Sequence, residues 1–262
     1  DSAPFDPDRT AAAALQALRL SRGRLCSLDT AVAPRTEANG VAAQHALARR
    51  MGADPPAGFK IGATARRMQE YLGLTGPAAG FIAPGGIHAS GAALRFADFT
   101  RLGVECELAV RLARDLPPRD CTADEAAASV GELMAGIELV ENRYGDLSAL
   151  GTPALIADQV FHAAAVLGSP AADWRQLDLP RLAGRITVNG ETRGEGVGAD
   201  LLGHPMNCLA WLAGSPVAAA FGGLRAGQVV MLGSVTPPIW LDAPASVVVE
   251  FPSLPAVELR LD

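Results

Sequence analysis

The sequence predicts a mixed α/β (α+β) protein: a β-rich core, peripheral helices and a helical N-terminal segment. Three observations predict it. The first third is Ala-rich with a helical period, the middle changes to alternation with a period of two, and the last third mixes short strand and helix patterns. Helices precede strands instead of alternating with them, which argues against a doubly wound sheet.

The elements follow in order. Asp6-Pro7 resembles an N-cap with proline at the first helical position, opening a helix to about Leu20. A second helix is predicted over 37–51, and Pro55-Pro56 ends the helical region. Phe59-Lys60-Ile61 begins a strand. Thr64 is expected to cap a short helix over 65–72, which Gly73 stops. Residues 104–112 alternate strictly, with Val104, Cys106, Leu108, Val110 and Leu112 on one face, and a half-buried strand is predicted. Thr122-Ala123-Asp124-Glu125 matches a capping box. A strand is predicted over 133–141 and a helix over 157–167. Ile186-Thr187-Val188 followed by Asn189-Gly190 signals a hairpin. His204-Pro205 opens a long apolar helix to about Phe221, with His204 in a structural role, and strands over 229–232 and 247–251 close the chain. Two units are expected: a helical segment, 1–55, packed on a catalytic domain, 56–262.

Composition narrows the function. A content of 49% hydrophobic and 19% charged residues over 262 positions describes a chain able to bury a large core, not a disordered one. A net charge of −6, without a basic run, argues against a nucleic-acid partner. No apolar run approaches the roughly 18 residues of a membrane span. Asp1-Ser2-Ala3-Pro4 shows no signal-peptide pattern and lacks Met, as a trimmed or engineered start would. The expected compartment is the cytoplasm. Cys26, Cys106, Cys121 and Cys208 form no C-x-x-C pair and read as reduced thiols, with Cys106 in the core.

The chain has one lysine, Lys60, against twenty-one arginines. It sits in Gly58-Phe59-Lys60-Ile61-Gly62, among apolar residues and between two glycines that permit close backbone approach. Two readings stand. Either Arg-rich composition left one lysine behind, or the position needs a compact ammonium that can give up a proton, which a guanidinium cannot do. Glu105 and Glu107 lie at i and i+2 on a strand and share a face. Carboxylates roughly 6–7 Å apart repel by roughly 2–3 kcal/mol at an effective dielectric of 20. On a solvated face nothing follows; in a cleft a cation must hold both ionised. Oxygen ligands without nearby Cys or His favour Mg²⁺, Mn²⁺ or Ca²⁺ over Zn²⁺. Glu138 interrupts the apolar Met134-Ala135-Gly136-Ile137-Glu138-Leu139-Val140 and is either a buried partner for Arg143 or a third ligand.

These residues resemble a known family. Gly58 to Gly62, Met68-Gln69 with Leu72-Gly73, Glu105-x-Glu107, Glu138-x-x-x-x-Arg143, Ala157-Asp158, Asn189-Gly190-Glu191, Gly203-His204-Pro205 and Gly233-Ser234-x-Thr236 stand in the order and near the spacing of the 2-keto-4-pentenoate hydratase / 4-oxalocrotonate decarboxylase group of the fumarylacetoacetate hydrolase superfamily. The resemblance implies a β-rich roll and a divalent metal, Mg²⁺ or Mn²⁺, held by Glu105, Glu107 and Glu138. It implies a small 2-oxo acid as substrate, chelated through its carboxylate and 2-oxygen, with an enolate stabilised by the metal. Lys60 would stand beside that oxygen or near C3, and Ser234, Thr236 and the backbone near Leu72 would meet the substrate carboxylate. A homo-oligomer, at least a dimer, is also implied.

Two departures bear on the reaction. The group carries an acid where this chain reads Pro77-Ala78-Ala79-Gly80, and an Asn and serines where it reads Ala157-Asp158-Gln159-Val160-Phe161-His162. His162 is then either a replacement acid/base or a packed helix residue facing away from the site. Three functions are expected to compete: a hydratase or lyase of 2-hydroxydienoic acids, a decarboxylase or C–C hydrolase of oxaloacetate- or acylpyruvate-type acids, and a binding paralogue without turnover.

Overall fold

The computed structural model describes residues 5–6, 11–23, 28–147 and 149–262. Sequence readings on residues 1–4, Pro7 and Cys26 lie outside them. In chain order the helices are α1 (Ala11–Ser21), α2 (Glu37–Arg50), α3 (Arg66–Leu72), α4 (Ala123–Ser129), α5 (Thr152–Ala157), α6 (Pro205–Ala213) and α7 (Pro216–Ala220). The strands are β1 (Gly58–Gly62), β2 (Ala78–Ile82), β3 (Ile87–Ala89), β4 (Ala92–Leu94), β5 (Leu102–Leu112), β6 (Val130–Glu141), β7 (His162–Leu167), β8 (Ala183–Val188), β9 (Glu191–Val197), β10 (Val229–Ser234), β11 (Ile239–Trp240), β12 (Ala245–Glu250) and β13 (Val257–Leu261). The predicted mixed fold is observed.

The larger sheet runs β2-β1-β10-β5-β6-β7-β3, with β11 also paired to β5; the smaller runs β4-β13-β12-β8-β9. One face of β5, Val104 to Leu112, enters the main hydrophobic core together with α1, α2 and the inner residues of β8, β12 and β13. The other face carries Glu105, Glu107 and Ala109 and looks into the concave side of the rolled larger sheet. A separate apolar cluster of Ile82, Ala109, Met134, Ala165, Leu167, Val229 and Met231 fills part of that hollow. β5 is therefore covered on both sides and not half-buried as its alternation predicts: Glu107 is 0% exposed. Alternation marks two chemically different faces, and here the polar one faces an enclosed site.

The roll is tight enough that β2, at one end of the sheet, meets the turn entering β7 near the other. A Cβ at Gly80 would stand 2.5 Å from the Gln159 carbonyl oxygen, so only glycine permits this approach. Gln44 on α2 fastens the same corner, donating to the carbonyls of Ala79 (2.9 Å) and Ile156 (2.7 Å) while accepting from Phe81 N (3.2 Å).

Several expectations are corrected. Residues 162–167 form a strand, not the end of a helix over 157–167. Their Ala-rich composition favours helix locally, but β6 and β3 offer partners on both sides and the sheet prevails. The helix from His204 breaks at Gly214-Ser215, because Pro216 has no N–H to continue it; Ser215 caps α7 instead. Thr64 does not cap α3, whose N-cap is Ala65 without a side-chain bond; Thr64 is buried near Gly233. Gly73 in the left-handed region, the Thr122 capping box and the Asn189-Gly190 hairpin turn are all as predicted. His204 accepts from Met206 N at 3.0 Å, a structural cap. Cys106 is core, its thiol pushed up by burial and by Glu107. Among the described residues no helix is long and apolar enough to cross a membrane.

Candidate metal and active site

Antiparallel pairing of β5 and β6 sets the centre. Glu105 stands directly opposite Glu138, and Glu107 lies two residues along opposite Gly136. Three carboxylates thereby share the concave face, with one oxygen of each within 4.8 Å of the others. Gly136 has no side chain to intrude; a Cβ there would meet the Met231 methyl at 2.9 Å.

The carboxylate partners are unequal. Glu138 Oε1 forms an ion pair with Lys60 Nζ at 3.1 Å and is 2.8 Å from His162 Nδ1. Glu107 Oε2 accepts from Gly233 N at 3.2 Å. The other oxygens, Glu138 Oε2 and Glu107 Oε1, are buried and have no partner among the described residues. Buried carboxylate oxygens without donors are costly, and these two belong to the same cluster. Burial and the neighbouring Glu138 charge push Glu105 up to about 8, and the same two causes push Glu107 well above the usual range. Burial acts in the same sense on Glu138, but the Lys60 ammonium and the His162 hydrogen bond outweigh it and hold that carboxyl at about 2. Protein groups thus compensate one negative charge, and the other two carboxyls favour their neutral forms unless a cation stands beside them. An all-oxygen, acceptor-only set of this kind fits Mg²⁺ or Mn²⁺.

Lys60 reaches the site from β1 because the sheet is rolled. Its ammonium also donates to the Val160 carbonyl at 2.8 Å, and its side chain lines a cavity with Glu105. Of the two readings of Glu138, the pairing with Arg143 is not observed; Arg143 binds Glu141 (3.0 Å) and Asp158 (3.1 Å) instead.

The turn that supplies the Val160 carbonyl is unusual. Gln159, Val160 and Phe161 have φ of 57°, 52° and 65°, three consecutive left-handed residues without a glycine, each costing roughly 1–2 kcal/mol. Surrounding contacts hold it: Gln159 donates to Phe81 O at 2.6 Å, and Asp158, wholly buried, accepts from Arg19 on α1, Arg143 and Tyr144 Oη. Burial opposes the charge on Asp158, but Arg143 and Arg19 outweigh it and keep the carboxyl below its usual range. Gly62 makes room for Val160: a Cβ there would lie 2.9 Å from Val160 Cγ1 and 3.2 Å from Lys60 Nζ. Asp158 carried a sequence signal, a carboxylate ending the apolar Ala154-Leu155-Ile156-Ala157. Arg19, 139 residues away, carried none.

His162 begins β7 and is not a helix residue facing away. It lies behind Glu138, 3% exposed. Burial lowers its pKa, so it is neutral near pH 7, with Nδ1–H donating to the ionised Glu138 and Nε2 left as a buried, unpartnered acceptor. Ser234 and Thr236 line a cavity that also includes Glu105. Their hydroxyls are tied into the local chain: Ser234 Oγ donates to Thr236 O at 2.5 Å, and Thr236 Oγ1 accepts from Cys106 N at 3.4 Å. Leu72 lines the adjoining cavity with Lys60. Ala78 is an inward residue of β2 and leaves no acid at that position.

Residues 39–262 match the fumarylacetoacetate (FAA) hydrolase C-terminal family profile. A 2-keto-4-pentenoate hydratase of Burkholderia vietnamiensis is 32% identical over 195 residues, covering 74% of each chain. A 2-hydroxyhexa-2,4-dienoate hydratase of Comamonas testosteroni is 31% identical over 69% of this chain and 68% of its own. Among solved structures, 4-oxalocrotonate decarboxylase from Pseudomonas putida G7, complexed with magnesium and adipate, superposes with a TM-score of 0.88 over 96% of both chains at 23% identity. With its rolled sheet, its carboxylate cluster and these matches, the chain belongs to the fumarylacetoacetate hydrolase family.

Proposed function

We propose that the protein is a divalent-metal-dependent lyase, a hydratase of small 2-oxo or 2-hydroxydienoic acids. The observation that carries this reading is the cluster of Glu105, Glu107 and Glu138, with two buried unpartnered oxygens beside the Lys60 ammonium. The three glutamates would hold Mg²⁺ or Mn²⁺, which when bound supplies Lewis-acid stabilisation of negative charge on the substrate's 2-oxygen.

The remaining work falls to the chain's own groups. Lys60, fixed by Glu138 and the Val160 carbonyl, offers an N–H toward the cavity, where it stabilises charge on the substrate oxygen or hands a proton to carbon. His162 acts through Glu138: its Nδ1–H fixes the carboxylate so that Oε2 faces the cluster. It is a positioning residue in this reading and not the proton shuttle. Backbone N–H groups near Leu72, with Ser234 and Thr236, orient the acid's carboxylate. The same site on an oxaloacetate- or acylpyruvate-type acid would make a decarboxylase or a C–C hydrolase, and assembly into at least a dimer belongs to the same proposal. Incubation with Mg²⁺ or Mn²⁺ and a panel of 2-hydroxydienoates, oxaloacetate and acylpyruvates, followed by NMR, tests it. Hydrated dienoate is the expected product. A panel left unchanged while oxalate still binds the metal form would replace the lyase with a binding protein.

A further inference from the structure

Two cavities meet at Glu105, and their walls differ. The first carries Arg66, Arg67, Glu195 and Asp200 on its wall with Ser234 and Thr236, among apolar residues. The second, about 360 Å³, has Lys60 and Glu105 at its inner end and walls that include Tyr71, Leu147, Val160, Phe161, Pro238 and Trp240. Among the described residues its only other charged lining residue is Arg67, which is exposed. A molecule held at the carboxylate cluster has one polar direction and one apolar direction in which to extend.

The apolar wall is fixed before any ligand arrives. The Trp240 ring lies over Gly103, where a Cβ would come within 3.0 Å of both the indole and Val140 Cγ2, and the Arg101 guanidinium stacks on the indole at 5.4 Å from its centroid. Phe161 is held by the left-handed turn and packs edge-on against Tyr144, with ring centroids 6.2 Å apart. Preformed walls let burial of a ligand's apolar surface appear in affinity without an ordering cost. An apolar cavity of roughly 150 Å³ is enough for a benzene ring, so this one has space for a ring beyond the atoms held at Glu105.

Resting on the lyase reading above, we infer that the substrate carries an uncharged, apolar tail of aryl or branched-alkyl size, and that Trp240, Phe161 and Leu147 select it against a dicarboxylic acid. A distal carboxylate in this cavity would lose its water among aromatic and aliphatic side chains. The cations beside the apolar wall, Arg67 and Arg101, are both exposed, and an ion pair with a solvated guanidinium gains little.

Calorimetric titration of the Mg²⁺-loaded protein with pyruvate, phenylpyruvate and 2-oxoglutarate tests the inference. The expected order has phenylpyruvate tighter than pyruvate by about tenfold or more, with 2-oxoglutarate weaker than phenylpyruvate by a similar factor. In Trp240→Ala the phenylpyruvate-to-pyruvate ratio should fall about tenfold, while Trp240→Phe retains most of it. Because both ligands meet the same sample, the ratio does not depend on the fraction folded. Pyruvate that binds with no preference for phenylpyruvate, 2-oxoglutarate as the tightest ligand, or an unmoved ratio in Trp240→Ala each overturn the tail assignment and leave the lyase reading standing. If none of the three acids binds in the presence of Mg²⁺, the lyase reading fails and takes the tail assignment with it.

Discussion

Lys60→Met removes one charge from the centre of the site while keeping much of the side-chain volume. Lys60 Nζ lies 3.1 Å from Glu138 Oε1, and both side chains are buried. At an effective dielectric of 20 that attraction is about 5 kcal/mol, within the roughly 3–5 kcal/mol usual for breaking a buried pair from one side. For a chain of this size the loss should lower the melting temperature by roughly 6–20 °C. Glu138 then keeps only the His162 hydrogen bond, so its carboxyl should rise from about 2 toward the raised values of Glu105 and Glu107. A divalent cation supplies positive charge to the same carboxylates, so saturating Mn²⁺ should recover part of the lost melting temperature. Lys60→Arg keeps the charge but not the fit, because Gly62 and the Val160 carbonyl leave space for an ammonium and not for a wider guanidinium. It should bind metal and lose about 100-fold or more in turnover, as loss of a positioned oxyanion donor does. Thermal melts with and without Mn²⁺, paired with steady-state kinetics, read all of this. An unshifted melting temperature in Lys60→Met, or wild-type turnover in Lys60→Arg, would refute the reasoning.

Metal and pH should be linked in a definite direction. Glu105 is raised in the folded protein from 4.5 to about 8, so its favourable contribution is complete below pH 4.5 and lost as pH climbs through about 8. The melting temperature of chelated protein should therefore fall across that window, and Mg²⁺ affinity should rise by up to about tenfold per pH unit for each proton displaced; an affinity flat from pH 5 to 8 contradicts the cluster. Gly80→Ala puts a Cβ 2.5 Å from the Gln159 carbonyl oxygen, so a cost of about 1–3 kcal/mol is expected by urea denaturation, with turnover reduced because the Val160 carbonyl moves; wild-type stability and rate would show that the turn tolerates displacement. Asp158→Asn takes the counter-charge from Arg19 at the same turn and leaves Arg143 with Glu141 alone, and should lower kcat more than it raises KM. Equal effects on both would make its role structural alone. His162→Gln, which can still donate to Glu138, should retain far more activity than His162→Leu at pH 7; equal loss in both would restore His162 as a proton carrier.

Much of the site was legible because it obeys local rules. Alternation put Glu105 and Glu107 on one face, and Glu138 stood out as a charge inside an apolar strand. The register that sets Glu138 opposite Glu105 was not legible, since pairing is fixed by turns and bulges along the whole hairpin. Lys60 reaches Glu138 only because the sheet rolls, and residue spacing carries no information about curvature. The strand at His162–Leu167 was misread because alanine favours helix when no neighbour is considered. The left-handed turn at Gln159–Phe161 had no glycine to announce it. It exists because Asp158, Gln159 and Lys60 are held by residues as distant in sequence as Arg19. The break before Pro216, by contrast, was there to be read.

If Glu105, Glu107, Glu138 and Lys60 form a metal-dependent site for a 2-oxo acid, turnover must follow the metal. NMR of 2-hydroxypenta-2,4-dienoate with the Mg²⁺-loaded protein, before and after chelation, tests it most directly. A hydrated product should cease to form on chelation and return when Mg²⁺ is restored. A product that forms equally well in the presence of the chelator would contradict it.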